Sequence, residues 1–185
     1  NLLKALKAMP CEDASAGTSR LGDWTANLVR VSRAQLVIAV SEPTRLAIAI
    51  EAAPYAKIPE RLADRLFEML CWIGIPEPPA RHEADMLRRP QLSRSNSRSV
   101  LGALNDYAFC AEQMLLGGRA SDTLDVTRVF AKWLVLKPEP MHPADRVREL
   151  FGLDPEMPPQ AARCSSTSEH ERHREVHRPA GRAHG

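Results

Sequence analysis

The chain has 185 residues, 44% of them hydrophobic and 26% charged, with a formal net charge of +2. A chain of this size can bury a sufficient core without disulfides or metal, and no apolar run is long enough to cross a bilayer. The small charge excess argues against nucleic acid as the default partner; five arginines against three glutamates from Pro159 onward account for all of it. The four cysteines, Cys11, Cys71, Cys110 and Cys164, form no C-x-x-C pair, and Cys71 and Cys110 sit in apolar helical patterns. With no secretory signal in "NLLKALKAMP", the expected setting is a reduced cytoplasm. The chain opens on Asn1, so a few residues, and with them a strand, are expected to precede it.

Residues 1–9 show Leu2, Leu3 and Leu6 at helical spacing before Pro10, and "CEDASAGTSR" follows as a polar loop. From Ala26 the period becomes two. "ANLVRVS", "QLVIAVS" and "RLAIAIEA" are separated by connections too short for a parallel crossover, so they form an antiparallel meander. The third run is apolar on both faces and is expected to be central. "IPERLADRLFEMLCWIG" places Ile58, Leu62, Leu66, Met69 and Ile73 on one helical stripe, with Pro59 in the first turn and Gly74 at the stop. "IPEPPARHEADMLRRPQLSRSN" reads as a long proline- and arginine-rich connection.

A second long helix is predicted from about Ser97 to Leu116, turning Val100, Leu104, Tyr107, Ala111 and Met114 inward and ending at Gly117-Gly118. "LDVTRVFAKWLVL" is assigned to a helix, and "HPADRVRELFGLD" to a short terminal one. Beyond Pro158 the only large aliphatic is Val176 and there is no aromatic residue, too little to offset the entropy of ordering. The expected organisation is one α+β domain over 1–158, an antiparallel meander against two long helices, and a disordered basic tail over 159–185 that contains histidines.

The best candidate site is "SRSVLGALND", Ser97 to Asp106. On a helix, Arg98, Gly102 and Asn105 share one stripe, and Ser99 and Asp106 the adjoining one. Glycine in a helix interior costs about 1 kcal/mol against alanine, so a neighbouring backbone or a ligand is expected to approach it. Guanidinium and amide groups beside the gap could grip a carboxylate, a phosphate or exposed main chain. A second cluster, "LGDWTAN", brings Asp23, Trp24 and Asn27 into the first strand. Capping by Asp23 and anchoring of the core edge by Trp24 explain it structurally, whereas contact between Asp23 and Arg98 would fuse the two clusters into one polar site.

His170, His173 and His177 would share a helix face able to collect a metal, but nothing folded surrounds them, and a solvated tail explains them as well. Neither His82 nor His142 has a nucleophile at motif spacing, and no phosphate loop, dinucleotide fingerprint or H-E-x-x-H is present. No cofactor or metal is expected.

"KALK", "LGDWTANLV", "SEPTRLAIAI" and "SRSVLGALND" together resemble a family of small bacterial proteins of uncharacterised function, marked by an L-G-D-W-x-A-N element and an N-R-S-V-L-G-x-x-N-D element. The resemblance spans about residues 2–115 and implies a strand ahead of the "KALK" segment. It departs at Ser97, where the family has asparagine; here Asn96 lies one position earlier. It carries no activity, cofactor or partner. The function read from the residues is a non-enzymatic binding or interaction module whose pocket joins Asp23, Trp24, Asn27, Arg98, Asn105 and Asp106, taking a small anionic ligand or a protein. The alternative is a small hydrolase or nuclease in which Asp23 and Asp106 supply carboxylates and Arg98 steadies an anionic group. Nucleic-acid binding through the 81–98 arginines and the basic tail is a third reading, and a membrane partner is not expected.

Overall fold

A computed structural model describes residues 2–7, 9–11, 19–31, 33–93, 97–136 and 140–155. Three antiparallel strands, β1 (Trp24–Val31), β2 (Ala34–Ser41) and β3 (Ala47–Glu51), form a sheet in the order β1-β2-β3. Before it lies the short α1 (Leu2–Ala5), and after it come α2 (Ile58–Ile73), α3 (Glu77–Arg88), α4 (Arg98–Leu116), α5 (Thr123–Lys132) and α6 (Pro143–Leu150). The fold is α+β. No helix among the described residues is long and apolar enough to cross a membrane.

Register decides which helix each strand residue meets, because directly opposed residues project to the same side of a sheet. Trp24, Ala26 and Leu28 oppose Ser41, Ala39 and Val37, and this side packs with Leu62, Leu66 and Leu70 of α2. The other side presents Ile38 and Val40 of β2 with Ala47 and Ala49 of β3, and there Val100, Leu104, Tyr107 and Met114 of α4 pack with Val126 and Phe130 of α5. The meander is thus sandwiched between the two long helices read from the sequence. β2, not β3, is central. Both faces of β3 are covered all the same, and α5 closes its outer edge: the Thr127 hydroxyl accepts the Ala49 N–H at 3.0 Å and donates to the Thr123 carbonyl at 2.7 Å. That coverage explains why a strand at the margin is apolar on both sides.

α2 begins with Pro59 in its first turn and stops at Gly74, whose φ of 101° suits glycine. The residues around 77–88 are a helix rather than the connection expected. Pro78 and Pro79 fall in its first turn, where the missing N–H groups have no intrahelical partner to lose, and Ala80, Glu83 and Ala84 form a narrow buried stripe. The expected first helix reduces to Leu2–Ala5. The expected tail over 159–185, including His170, His173 and His177, lies outside the described residues.

Candidate functional site

Both segments singled out in the sequence are fastened to one turn, Ser41 to Leu46, between β2 and β3. The Ser41 hydroxyl donates to the Leu21 carbonyl at 2.8 Å, and the Glu42 N–H donates to the Asp23 carbonyl at 2.9 Å. Gly22, with φ of 62°, lies so close to this turn that a Cβ would stand 3.0 Å from Pro43 Cδ. Here the glycine of "LGDW" is required twice over, by conformation and by space. On the other side of the turn, the Arg45 guanidinium donates to the Ser99 hydroxyl at 3.1 Å, while the Tyr107 hydroxyl donates to the Arg45 carbonyl at 2.8 Å. The tryptophan segment and the glycine-bearing helix therefore meet the same end of the sheet.

Arg45 was not legible as a site residue. It is 7% exposed, has φ of 57°, and its Nη1 has no hydrogen-bond partner among the described residues. A non-glycine residue in the left-handed region is uncommon, and Arg45 is held there by its neighbours. The Thr44 hydroxyl donates to the Ser41 hydroxyl at 2.7 Å, and the Ser41 carbonyl accepts the Arg45 N–H at 3.0 Å. Burial pushes the Tyr107 phenol well above its ordinary pKa, against a smaller opposing effect of the nearby Arg45 charge. The arrangement is a clasp between turn and helix. Another buried polar group, Glu83 of α3, accepts from the Ser19 hydroxyl at 2.6 Å and the Arg20 N–H at 3.0 Å, which anchors the chain entering "LGDW".

The six residues expected to line one pocket do not converge as a set. Trp24 is half-buried on the α2 side of the sheet, whereas Asn27 projects on the α4 side and is exposed because β1 is an edge strand. Asn27 spends its side-chain oxygen on the N–H of Leu28, its own neighbour, at 2.9 Å. Asp23, Arg98, Asn105 and Asp106 are exposed, and no ion pair joins Asp23 to Arg98 among the described residues. Arg98 and Asn105 do share a stripe, but it is the solvent face of α4. Gly102 lies on that face too. A Cβ built on it meets nothing within 4 Å, so among the described residues no backbone fills the gap that the sequence led us to expect.

Beside the polar neighbours of Gly102, the same side of α4 exposes apolar side chains. Phe109 is 65% exposed, Leu116 60% and Leu101 40%, all on the same side of a helix whose opposite side is packed against the sheet. Isolated exposed hydrophobics are ordinary; here three fall on one helix face, with Asn105 and Glu112 between them.

Two clefts lie elsewhere. One, of about 250 Å³, is lined by Trp72, Lys132, His142, Asp145 and Arg148 among others; the His142 Nδ1 is 3.0 Å from the Lys132 carbonyl, and Asp145 pairs with Arg148. The other, of about 150 Å³, lies between Glu51, Arg61 and Glu68. Neither contains a serine or cysteine nucleophile, nor any of the six expected residues. No cluster of metal-ligating side chains occurs among the described residues. Of the arginines considered for nucleic acid, Arg81 pairs with Glu77 and lies over the Phe67 ring, and Arg88 pairs with Asp64 and Asp85.

A family model, Domain of unknown function (DUF6933), matches residues 1–145. The chain belongs to that family. No curated protein and no solved structure matches it. The affiliation agrees with the resemblance read from "LGDWTANLV" and "SRSVLGALND" and brings no activity with it.

Proposed function

We propose that this domain is a non-enzymatic interaction module of a bacterial cytoplasmic protein, and that it meets its partner through the solvent face of α4. The observation that carries the reading is the open Gly102 set among exposed Leu101, Phe109 and Leu116 on a helix already packed by its other side. Among the described residues nothing approaches the absent side chain, so its use is sought outside. Arg98 and Asn105, two of the sequence candidates, supply polar groups on the same face, and Asp106 flanks it. Asp23, Trp24 and Asn27 are read as framework: the first two join the β1 entry, and the third satisfies its own strand edge. Free thiols at Cys11 and Cys110 suit a reducing compartment.

The hydrolase alternative gains no support, because Asp23 and Asp106 line neither cleft. A photoreactive phenylalanine analogue at position 109 tests the interaction reading. Illumination of cells producing the protein should give a discrete covalent adduct from position 109 and none from position 86, an exposed site on α3. Equal labelling from both positions, or none from 109, would overturn it.

A further inference from the structure

The solvent face of α4 is complementary to itself, and the inference drawn from this rests on reading that face as a contact surface. At about 100° per residue, Arg98, Leu101, Asn105, Phe109 and Glu112 fall within an arc of about 80°. In two antiparallel helices related by a two-fold axis, residues equidistant in sequence from the axis face one another. With the axis at Asn105, Leu101 and Phe109 are each four residues away, so each leucine meets the phenylalanine of the second copy. Seven residues out, Arg98 meets Glu112 of the second copy. Neither charge has a partner within its own chain among the described residues.

Asn105 on the axis faces its own copy, where each amide can donate an N–H and accept one in return. Gly102 lies on the shoulder of this stripe. The open space above it lets a second backbone draw in where a side chain would hold it off. Apolar contact, charge and hydrogen bonding therefore choose the same axis. We propose that α4 pairs antiparallel with α4 of a second copy about a two-fold axis through Asn105.

With the axis at Asn105 the helical overlap runs from Arg98 to Glu112, about 21 Å, and lies at the low end of specific interface sizes. Contacts of this size are weak and reversible. Sedimentation equilibrium of the full chain from about 1 μM to about 1 mM should show a monomer–dimer equilibrium. Arg98→Glu places like charges at both ends of the contact and should weaken it about tenfold, and adding Glu112→Arg should restore it. With Cys11 and Cys164 replaced by serine, Asn105→Cys should form a reducible dimer under mild oxidation, and Asp85→Cys on α3 should not.

A chain monomeric throughout that range, a charge exchange that fails to restore pairing, or equal crosslinking from positions 85 and 105 would overturn the proposal. Position 109 separates the two readings. An adduct with a different protein from a monomeric chain removes the second copy and keeps the contact surface; no adduct of any mass removes both.

Discussion

The two sides of α4 differ in how completely their residues are used. Toward the sheet, Val100, Leu104, Tyr107, Ala111 and Met114 are buried, and Tyr107 also closes the clasp on Arg45. Toward solvent, Arg98 and Asn105 have no partner among the described residues, Phe109 and Leu116 are bare, and Gly102 faces open space. Two arginines near the start of the helix make the contrast plain: Arg45 is buried and bonded to Ser99, and Arg98 is exposed, with no partner among the described residues. One side is explained by folding. The other holds side chains exposed to solvent, and a glycine whose Cβ would meet nothing within 4 Å.

The largest effect should come from the inner side. Leu104 is 1% exposed between helix and sheet, so Leu104→Ala should lower unfolding free energy by about 3 kcal/mol in chemical denaturation. A change under about 1 kcal/mol would mean the helix is loosely docked.

Tyr107→Phe should cost about 1–2 kcal/mol near neutral pH, by leaving the Arg45 carbonyl without its donor. Because burial raises the folded-state pKa of this phenol above its ordinary value of about 10, the folded protein keeps the proton that the unfolded chain releases. The contribution is complete below about pH 10 and is lost as pH rises beyond it. Denaturation curves from pH 8 to 11 should therefore show wild-type stability falling above about pH 10 more steeply than that of Tyr107→Phe; parallel curves would place the phenol in water.

On the outer side the sign reverses. Gly102→Ala should raise monomer stability by about 1 kcal/mol, since the new methyl meets no neighbour and the helix gains propensity. A loss would mean that the glycine is required by the fold. Smallest of all, Arg98→Ala and Asn105→Ala should leave the melting midpoint of dilute protein unchanged within about 0.5 kcal/mol. A loss of several degrees in either would make them parts of a structural network.

How much could be read from the sequence follows the same division. α2 and α4 were legible because their buried residues recur at helical spacing and each ends at a glycine, and the meander was legible because its connections are too short for anything else. α3 was hidden by Pro78 and Pro79, which look like a linker until one sees that both lie in a first turn, and by a buried stripe built on alanine and Glu83. The hydrogen-bond partners of Glu83 are more than sixty residues away, which no local pattern announces. Arg45 gave no signal either, since nothing in "SEPTR" says that its last residue takes up a left-handed conformation and turns inward. "SRSVLGALND" was noticed for a sound reason, the cost of its glycine, but the gap opens toward solvent rather than onto the strand or loop backbone that was expected to fill it.

The account turns on the outer side of α4 being dispensable for folding and needed for association, and Phe109→Asp separates the two in one purified variant. Its unfolding free energy, measured at dilute concentration where association contributes nothing, should match wild type within about 0.5 kcal/mol, while sedimentation finds no dimer at about 1 mM. Destabilisation of about 2 kcal/mol or more, or undiminished pairing, would contradict it.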